Sequence, residues 1–216
     1  MSLVGKKAPL FSAPAVLNGS EIAEDFSLST YLGKREIVLF FYPKDFTLIC
    51  PTEILAFQEL LPEFEKRNVA LIGVSTDSEE VHLAWLSTPQ NQGGIKGVTY
   101  PLVADSAKTI AANYGVLGGD WDYDENGNLY FEGAPIALRS TFLIDKQGIV
   151  RHEYINFFSV GRNTMETLRI VDAWQFTCEH GEACPANWEA GKDPMQETRA
   201  DVAKYLSSSE PPLTNE

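Results

Sequence analysis

The sequence predicts an α/β fold, a mixed central sheet flanked by helices with a C-terminal arm. Three observations predict it. Short apolar runs rich in β-branched and aromatic residues alternate with stretches of helical period. Further along, two strand-like runs flank a short polar turn, the pattern of a hairpin. From Gly181 onward the chain turns polar and rich in Pro and Ser, the pattern of an arm rather than a core.

"REIVLFFYP", Arg35 to Pro43, reads as a buried strand. In "PTEILAFQELLPEFEKRN", Ile54, Phe57, Leu61 and Phe64 recur at spacings of three and four, so an amphipathic helix follows. Pro51 suits its first turn, where no backbone donor is needed, and Pro62 is expected to kink it. "VALIGVSTD" is a second buried strand, and "SEEVHLAWLS" a helix capped by Ser78. "TPQNQGGIKGVTYP" is a loop, and "SAKTIAANYGV" a short helix ending near Gly115. The pair Asn126-Gly127 signals a tight hairpin turn. "LRSTFLID" and "IVRHEYINFF" flank "KQG" as a second hairpin, and "NTMETLRIVDAWQFTCEH" is a long helix. Strand-helix-strand order implies parallel strands with a right-handed crossover, and the late hairpin adds antiparallel ones. The result is compatible with a thioredoxin-like core over residues 1–180, with a hairpin insertion at about 120–136 and an arm over 181–216.

The totals exclude several classes. A chain of 216 residues with 44% apolar and 22% charged residues has the composition of a globular protein with a sizeable core. No apolar run approaches the roughly 18 residues of a membrane span. The opening "MSLVGKKAPLFSAPAV" lacks the basic-then-apolar layout of a secretory signal. A net charge of −13 disfavours binding to a phosphate backbone. The expectation is therefore a cytoplasmic protein with neither nucleic acid nor membrane as partner.

Three cysteines cannot all pair within one chain, and no CxxC spacing occurs. Cys50 falls at a strand-to-helix junction. Free cysteine is commonly buried filler, and that reading stands beside the reactive one. A helix start carries unpaired N–H groups and partial positive charge, which stabilise a thiolate. Cysteines so placed titrate at about 3.5–7.5 instead of roughly 8.5. Thr47, three residues earlier, offers a hydroxyl to the sulfur or to an incoming oxygen, and Pro43 stiffens and shields the approach. Cys184 lies in the polar arm, where an exposed thiol can resolve an oxidised one. Cys178 follows Leu168, Val171 and Trp174 at spacings of three and four, which places it on the inner stripe of the last helix. Cys178, His180 and Cys184 together do not form a usual zinc spacing, and a fourth ligand would have to come from elsewhere.

"FYPKDFTLICPTE" and "GEACPANWEAGK" together resemble the two signature segments of typical two-cysteine peroxiredoxins of the alkyl hydroperoxide reductase C type. The likeness runs from about Val4 to Lys192. It implies a thiol peroxidase acting on hydrogen peroxide and alkyl hydroperoxides. Cys50 corresponds to the peroxidatic cysteine, and Pro43 and Thr47 to its P-x-x-x-T-x-x-C motif. Arg139 corresponds to the arginine that stabilises the thiolate, and Glu53 and Arg162 to the pair that orients it. Cys184 corresponds to the resolving cysteine, which forms an intersubunit disulfide with Cys50 once the first turn after Cys50 unwinds. The resemblance further implies no cofactor, a homodimer or a decameric ring of dimers, and recycling by thioredoxin or a dedicated disulfide reductase. Two departures stand out. "DWDYDENGNLYFEGAPIA" is longer than the family's usual link, and "GGIKG" with Tyr205-Leu206 only partly matches the pattern of overoxidation-sensitive members. Intermediate sensitivity is the expectation. Two other functions remain: a general disulfide oxidoreductase, disfavoured by the missing CxxC, and a chaperone or scaffold, which needs exposed apolar surface.

Overall fold

The computed structural model describes residues 2–208. Met1 and residues 209–216, the last part of the expected arm, lie outside the described residues. The chain divides into two compact units, the first ending at Thr164 and the second beginning at Met165.

The first unit is built on a seven-stranded mixed sheet. Its strands are β1 (Ser12–Leu17), β2 (Glu21–Ser27), β3 (Glu36–Phe41), β4 (Val69–Ser75), β5 (Leu102–Ala104), β8 (Arg139–Ile144) and β9 (Val150–Asn156). They lie in the order β2-β1-β5-β4-β3-β8-β9. β3, β4 and β5 run parallel, and the outer strands antiparallel. The central strands β3 and β4 are buried along their whole length. That is why they read as continuous apolar runs rather than alternating ones. The helices are α1 (Cys50–Lys66), α2 (Glu79–Ser87) and α3 (Thr109–Asn113). α1 lays Phe57 on Phe40 with ring centroids 4.6 Å apart. On the other face, Tyr114, just after α3, meets Phe41 and Phe142 at 5.2 and 5.0 Å. Gly73 pairs with Phe40 across the ladder, and a Cβ there would lie 2.9 Å from the Phe40 ring. The aromatic layer needs a glycine at that point.

The expected strands and helices are present, with these differences. β1, β2 and β5 form where no strand was expected. Ser78 occupies the N-cap position of α2, but its hydroxyl donates to Glu80 Oε2 at 2.6 Å instead of accepting from the helix. The insertion forms a separate two-stranded ribbon of β6 (Leu117–Tyr123) and β7 (Leu129–Ala137). Its turn is wider than a two-residue hairpin. Asp124 Oδ1 accepts the N–H groups of Asn126 and Asn128, and Gly127 takes φ +79°.

The second unit holds α4 (Thr164–His180, its first residue at the boundary) and α5 (Arg199–Ser208). The second unit thus takes in the last long helix together with the chain after Gly181. The reason is local packing. Phe176 lies 4.9 Å from Trp188, and Arg169 Nη1 donates to Trp188 O at 2.8 Å, so the chain after Gly181 closes back on α4. Burial along α4 fades from Leu168 and Val171 to an exposed last turn. Cys178 falls in that exposed turn and not on a buried stripe. No helix among the described residues is long and apolar enough to cross a membrane.

Candidate active site

Cys50 is the first residue of α1 and is fully buried. β3 ends at Phe41, and Tyr42 and Pro43 are buried beyond it, so the chain enters the site along the sheet's own axis. Residues 44–49 form the loop that leads into α1. Leu48 in that segment is 92% exposed, whereas Cys50 is fully buried.

A cluster of charges meets the sulfur from β8 and from the segment after β9. Arg139, the first residue of β8, places Nη1 3.3 Å from Cys50 Sγ and 2.7 Å from Glu53 Oε2. Its Nε donates to Phe158 O at 2.6 Å, which fixes the guanidinium plane. Glu53 lies one turn into α1, on the same side as Cys50. It accepts from Arg162 Nε at 3.0 Å, Arg162 Nη2 at 3.0 Å and Arg162 N at 2.9 Å. Arg162 also donates to Ser140 O and Phe41 O, each at 2.8 Å, and lies over the Phe40 ring at 5.1 Å. Burial pushes the Glu53 carboxyl up, but the hydrogen bonds and charge of Arg162, with the charge of Arg139, outweigh it and hold it below its ordinary range. Glu53 therefore stays an anion. Two buried guanidiniums share this one carboxylate, leaving one positive charge in excess. Arg139 holds its share of that charge 3.3 Å from Cys50 Sγ.

Of the residues singled out in sequence, Cys50, Glu53, Arg139 and Arg162 come together by direct contact. Pro43 is buried at the mouth of the loop, and its carbonyl accepts from Thr76 Oγ1 at 3.3 Å. Thr47 differs from expectation. Its hydroxyl donates to Lys44 O at 2.9 Å and not to the sulfur. With its proton so committed, the oxygen can still accept a hydrogen bond. Cys184 belongs to the second unit. It is half-buried rather than exposed, with Sγ donating to Ala173 O at 3.5 Å, beside an isolated bridge between Ala183 and Met195. Among the described residues, no cluster of three or more His, Cys, Asp or Glu side chains could hold a metal ion.

Sequence reasoning missed one group. Asp45, inside the loop, is buried and salt-bridged to His82 of α2, with Oδ2 2.7 Å from Nδ1. Tyr42 OH donates to the other oxygen of Asp45 at 2.8 Å, and Asp77 Oδ2 accepts from Asp45 N at 2.7 Å. His82 Nε2 lies 3.1 Å from Val103 O, so both ring nitrogens face acceptors. Burial pulls the His82 pKa down, but the hydrogen bond and charge of Asp45 outweigh it, helped by Val103 O, and raise it. Phe46 next door takes φ +52°, a left-handed backbone that a bulky side chain rarely adopts. Its ring rests 5.8 Å from Trp85. These contacts hold the loop before Cys50 in one shape. The sequence carries no local signal for the pair, since Asp45 follows Lys44 and His82 follows Glu79 and Glu80 in polar stretches.

A thiol at a helix start, faced by a fixed guanidinium in a cluster short of one negative charge, is the arrangement of a reactive cysteine. Comparison with known proteins gives its class. Residues 4–153 match the AhpC/TSA family, and residues 173–208 match the C-terminal domain of 1-Cys peroxiredoxin. The chain belongs to the AhpC/TSA family and is a peroxiredoxin, a thiol-specific peroxidase. Alkyl hydroperoxide reductase C from Helicobacter pylori is 50% identical over 207 residues, which cover 96% of this chain and 98% of that protein. Peroxiredoxin-2 from Mus musculus is 44% identical, covering 94% and 95%. The crystal structure of reduced 2-Cys peroxiredoxin from Plasmodium vivax matches with a TM-score of 0.85 at 40% identity, covering 96% of this chain and all of that one. The fold is accordingly the thioredoxin-like one, with a C-terminal helical extension.

Proposed function

We propose that the chain reduces hydrogen peroxide and alkyl hydroperoxides at Cys50 and closes the cycle through Cys184 of a partner subunit. The observation that carries this reading is Arg139 Nη1, within reach of both Cys50 Sγ and Glu53 Oε2. The Cys50 thiolate attacks one peroxide oxygen, the O–O bond breaks, and the departing hydroxide or alkoxide takes a proton. Cys50 becomes a sulfenic acid. Arg139 is a fixed cation that accompanies the negative charge as it moves from sulfur to the leaving oxygen. Arg162 and Glu53 hold Arg139 in place. Thr47 accepts a hydrogen bond from the peroxide O–H, and Pro43 keeps bulk water from the sulfur. Opening of the 44–49 loop, with unwinding of the first turn of α1, brings the oxidised sulfur out. The Cys184 thiolate of a partner subunit attacks it, water leaves, and an intersubunit disulfide forms. A protein dithiol, thioredoxin-type or on a flavoprotein, then reduces it.

A homodimer suits this cycle. Support for a second copy comes from β9, the outermost strand, with Ile155 45% exposed and Phe157 just beyond it 68% exposed. A cytoplasmic setting suits it too, because a thiol pool keeps the cysteines reduced. The test is a pair of variants. Cys50→Ser abolishes peroxide consumption. Cys184→Ser leaves the first oxidation intact but yields no disulfide-linked dimer on a non-reducing gel. Turnover surviving in Cys50→Ser would overturn the reading.

A further inference from the structure

The β6–β7 ribbon has two chemically different faces. Trp121 pairs across with Phe131, and Tyr123 with Leu129, so these four residues share one face. Asp120 pairs with Glu132, and Asp122 with Tyr130, on the other. The apolar face is open: Trp121, Tyr123 and Leu129 are 59%, 67% and 54% exposed. From residue 117 to 137 the chain carries Asp120, Asp122, Asp124, Glu125 and Glu132 and no Lys or Arg. A two-stranded ribbon of this kind is marginal alone and gains by burying its apolar face.

The root of the ribbon touches the active site. Phe158 packs so closely on Gly118 that a Cβ there would lie 2.6 Å from its ring. The Phe158 carbonyl is the one that fixes Arg139 Nε. β7 ends at Ala137, and Leu138 alone separates it from Arg139. Three residues of extended chain, about 10 Å, separate Gly118 from Trp121. A protein seated on Trp121 and Tyr123 therefore stands next to the catalytic cluster. A second copy of this chain is a poor occupant, since it brings the same acidic ribbon and a net charge of −13.

We propose that the β6–β7 ribbon is a docking arm for the dithiol protein that recycles this enzyme, a partner with an apolar groove rimmed by Lys and Arg. The proposal rests on the peroxidase reading above. The step it serves is thiol–disulfide exchange. One partner thiolate attacks the Cys50–Cys184 disulfide, the second resolves the mixed disulfide, and the enzyme leaves as two thiols while the partner leaves as a disulfide.

The experiment separates the two half-reactions. The probes are the thioredoxins and flavoprotein disulfide reductases of the source cell, each assayed for reduction of the oxidised wild-type enzyme. The most efficient one is then tested on Trp121→Ser/Tyr123→Ser and on Asp120→Asn/Asp122→Asn/Glu132→Gln. Dithiothreitol serves as an undocked reductant, and peroxide oxidation is followed by mass of the alkylated protein. The expected result is a KM for the protein reductant raised tenfold or more in the aromatic variant. The charge variant should lose most of the salt dependence seen in wild type. Dithiothreitol reduction and peroxide oxidation should stay within twofold in both. Unchanged KM and salt dependence would overturn the docking arm while leaving the peroxidase intact. So would failure of every protein reductant to outpace dithiothreitol. Failure of peroxide to oxidise wild type would instead overturn the peroxidase reading. Circular dichroism of each variant guards against misfolding, and the charge variant alone suffices if the aromatic one does not fold.

Discussion

Glu53 is the residue on which the site's electrostatics turn. It separates two guanidiniums that would otherwise face each other in a buried space. Glu53→Gln keeps the shape and removes the charge, so it is expected to destabilise the fold by roughly 3–5 kcal/mol, read by urea denaturation. Arg139→Ala should slow Cys50 oxidation by roughly 10²–10³-fold, the usual cost of one preorganised donor, read by stopped-flow. His82 gives a pH signature. Its folded pKa lies above its unfolded value, so its stabilisation is complete below about 6.5 and is lost as pH rises through the folded value. Glu53 lies below its ordinary value, so its stabilisation is complete above about 4.3 and is lost as pH falls through the folded value. Melting temperatures should therefore fall on both sides. In His82→Gln the alkaline fall should flatten, with a lower melting point near pH 6. An alkaline limb as steep as that of wild type would show that the Asp45–His82 pair does not anchor the loop.

At the scale of elements, sequence and structure agree where burial is continuous. β3, β4 and α1 each carry their own signal, a solid apolar run or a 3.6-residue stripe. β5 has only three residues, and β1 and β2 depend on pairing with neighbours far along the chain or across a short turn. No local pattern announces strands of that kind, because their stability comes from the sheet they join. α5 escaped for a related reason, as a weakly apolar helix inside a polar stretch. Pro62 has an exposed ring in the interior of α1 and removes a helix hydrogen bond. Pro62→Ala should stabilise the protein by about 1–3 kcal/mol, visible as a raised urea midpoint. Gly73→Ala should do the opposite by about 1–3 kcal/mol, since its Cβ meets both Phe40 and Leu102.

For the whole molecule, the catalytic cluster draws its parts from distant stretches of chain. Cys50 and Glu53 lie close together in sequence, and the motif around them was legible as a thiol at a helix start. Arg139 and Arg162 gain meaning only when β3, β8 and β9 assemble side by side, and the resemblance to a family, not spacing, pointed to them. The Asp45–His82 pair was not legible, since a buried salt bridge between a loop and a helix 37 residues apart leaves no periodic trace. The insertion was legible as a surface hairpin, but its division into an aromatic and an acidic face follows from the strand register.

The most direct test of the account is stopped-flow oxidation of the fully reduced protein by hydrogen peroxide, followed by non-reducing gel electrophoresis. The expected result is oxidation far faster than that of a free thiol, ending in a dimer-sized, reducible band that requires both Cys50 and Cys184. Oxidation no faster than a free thiol, or a band that persists in Cys50→Ser, would contradict it.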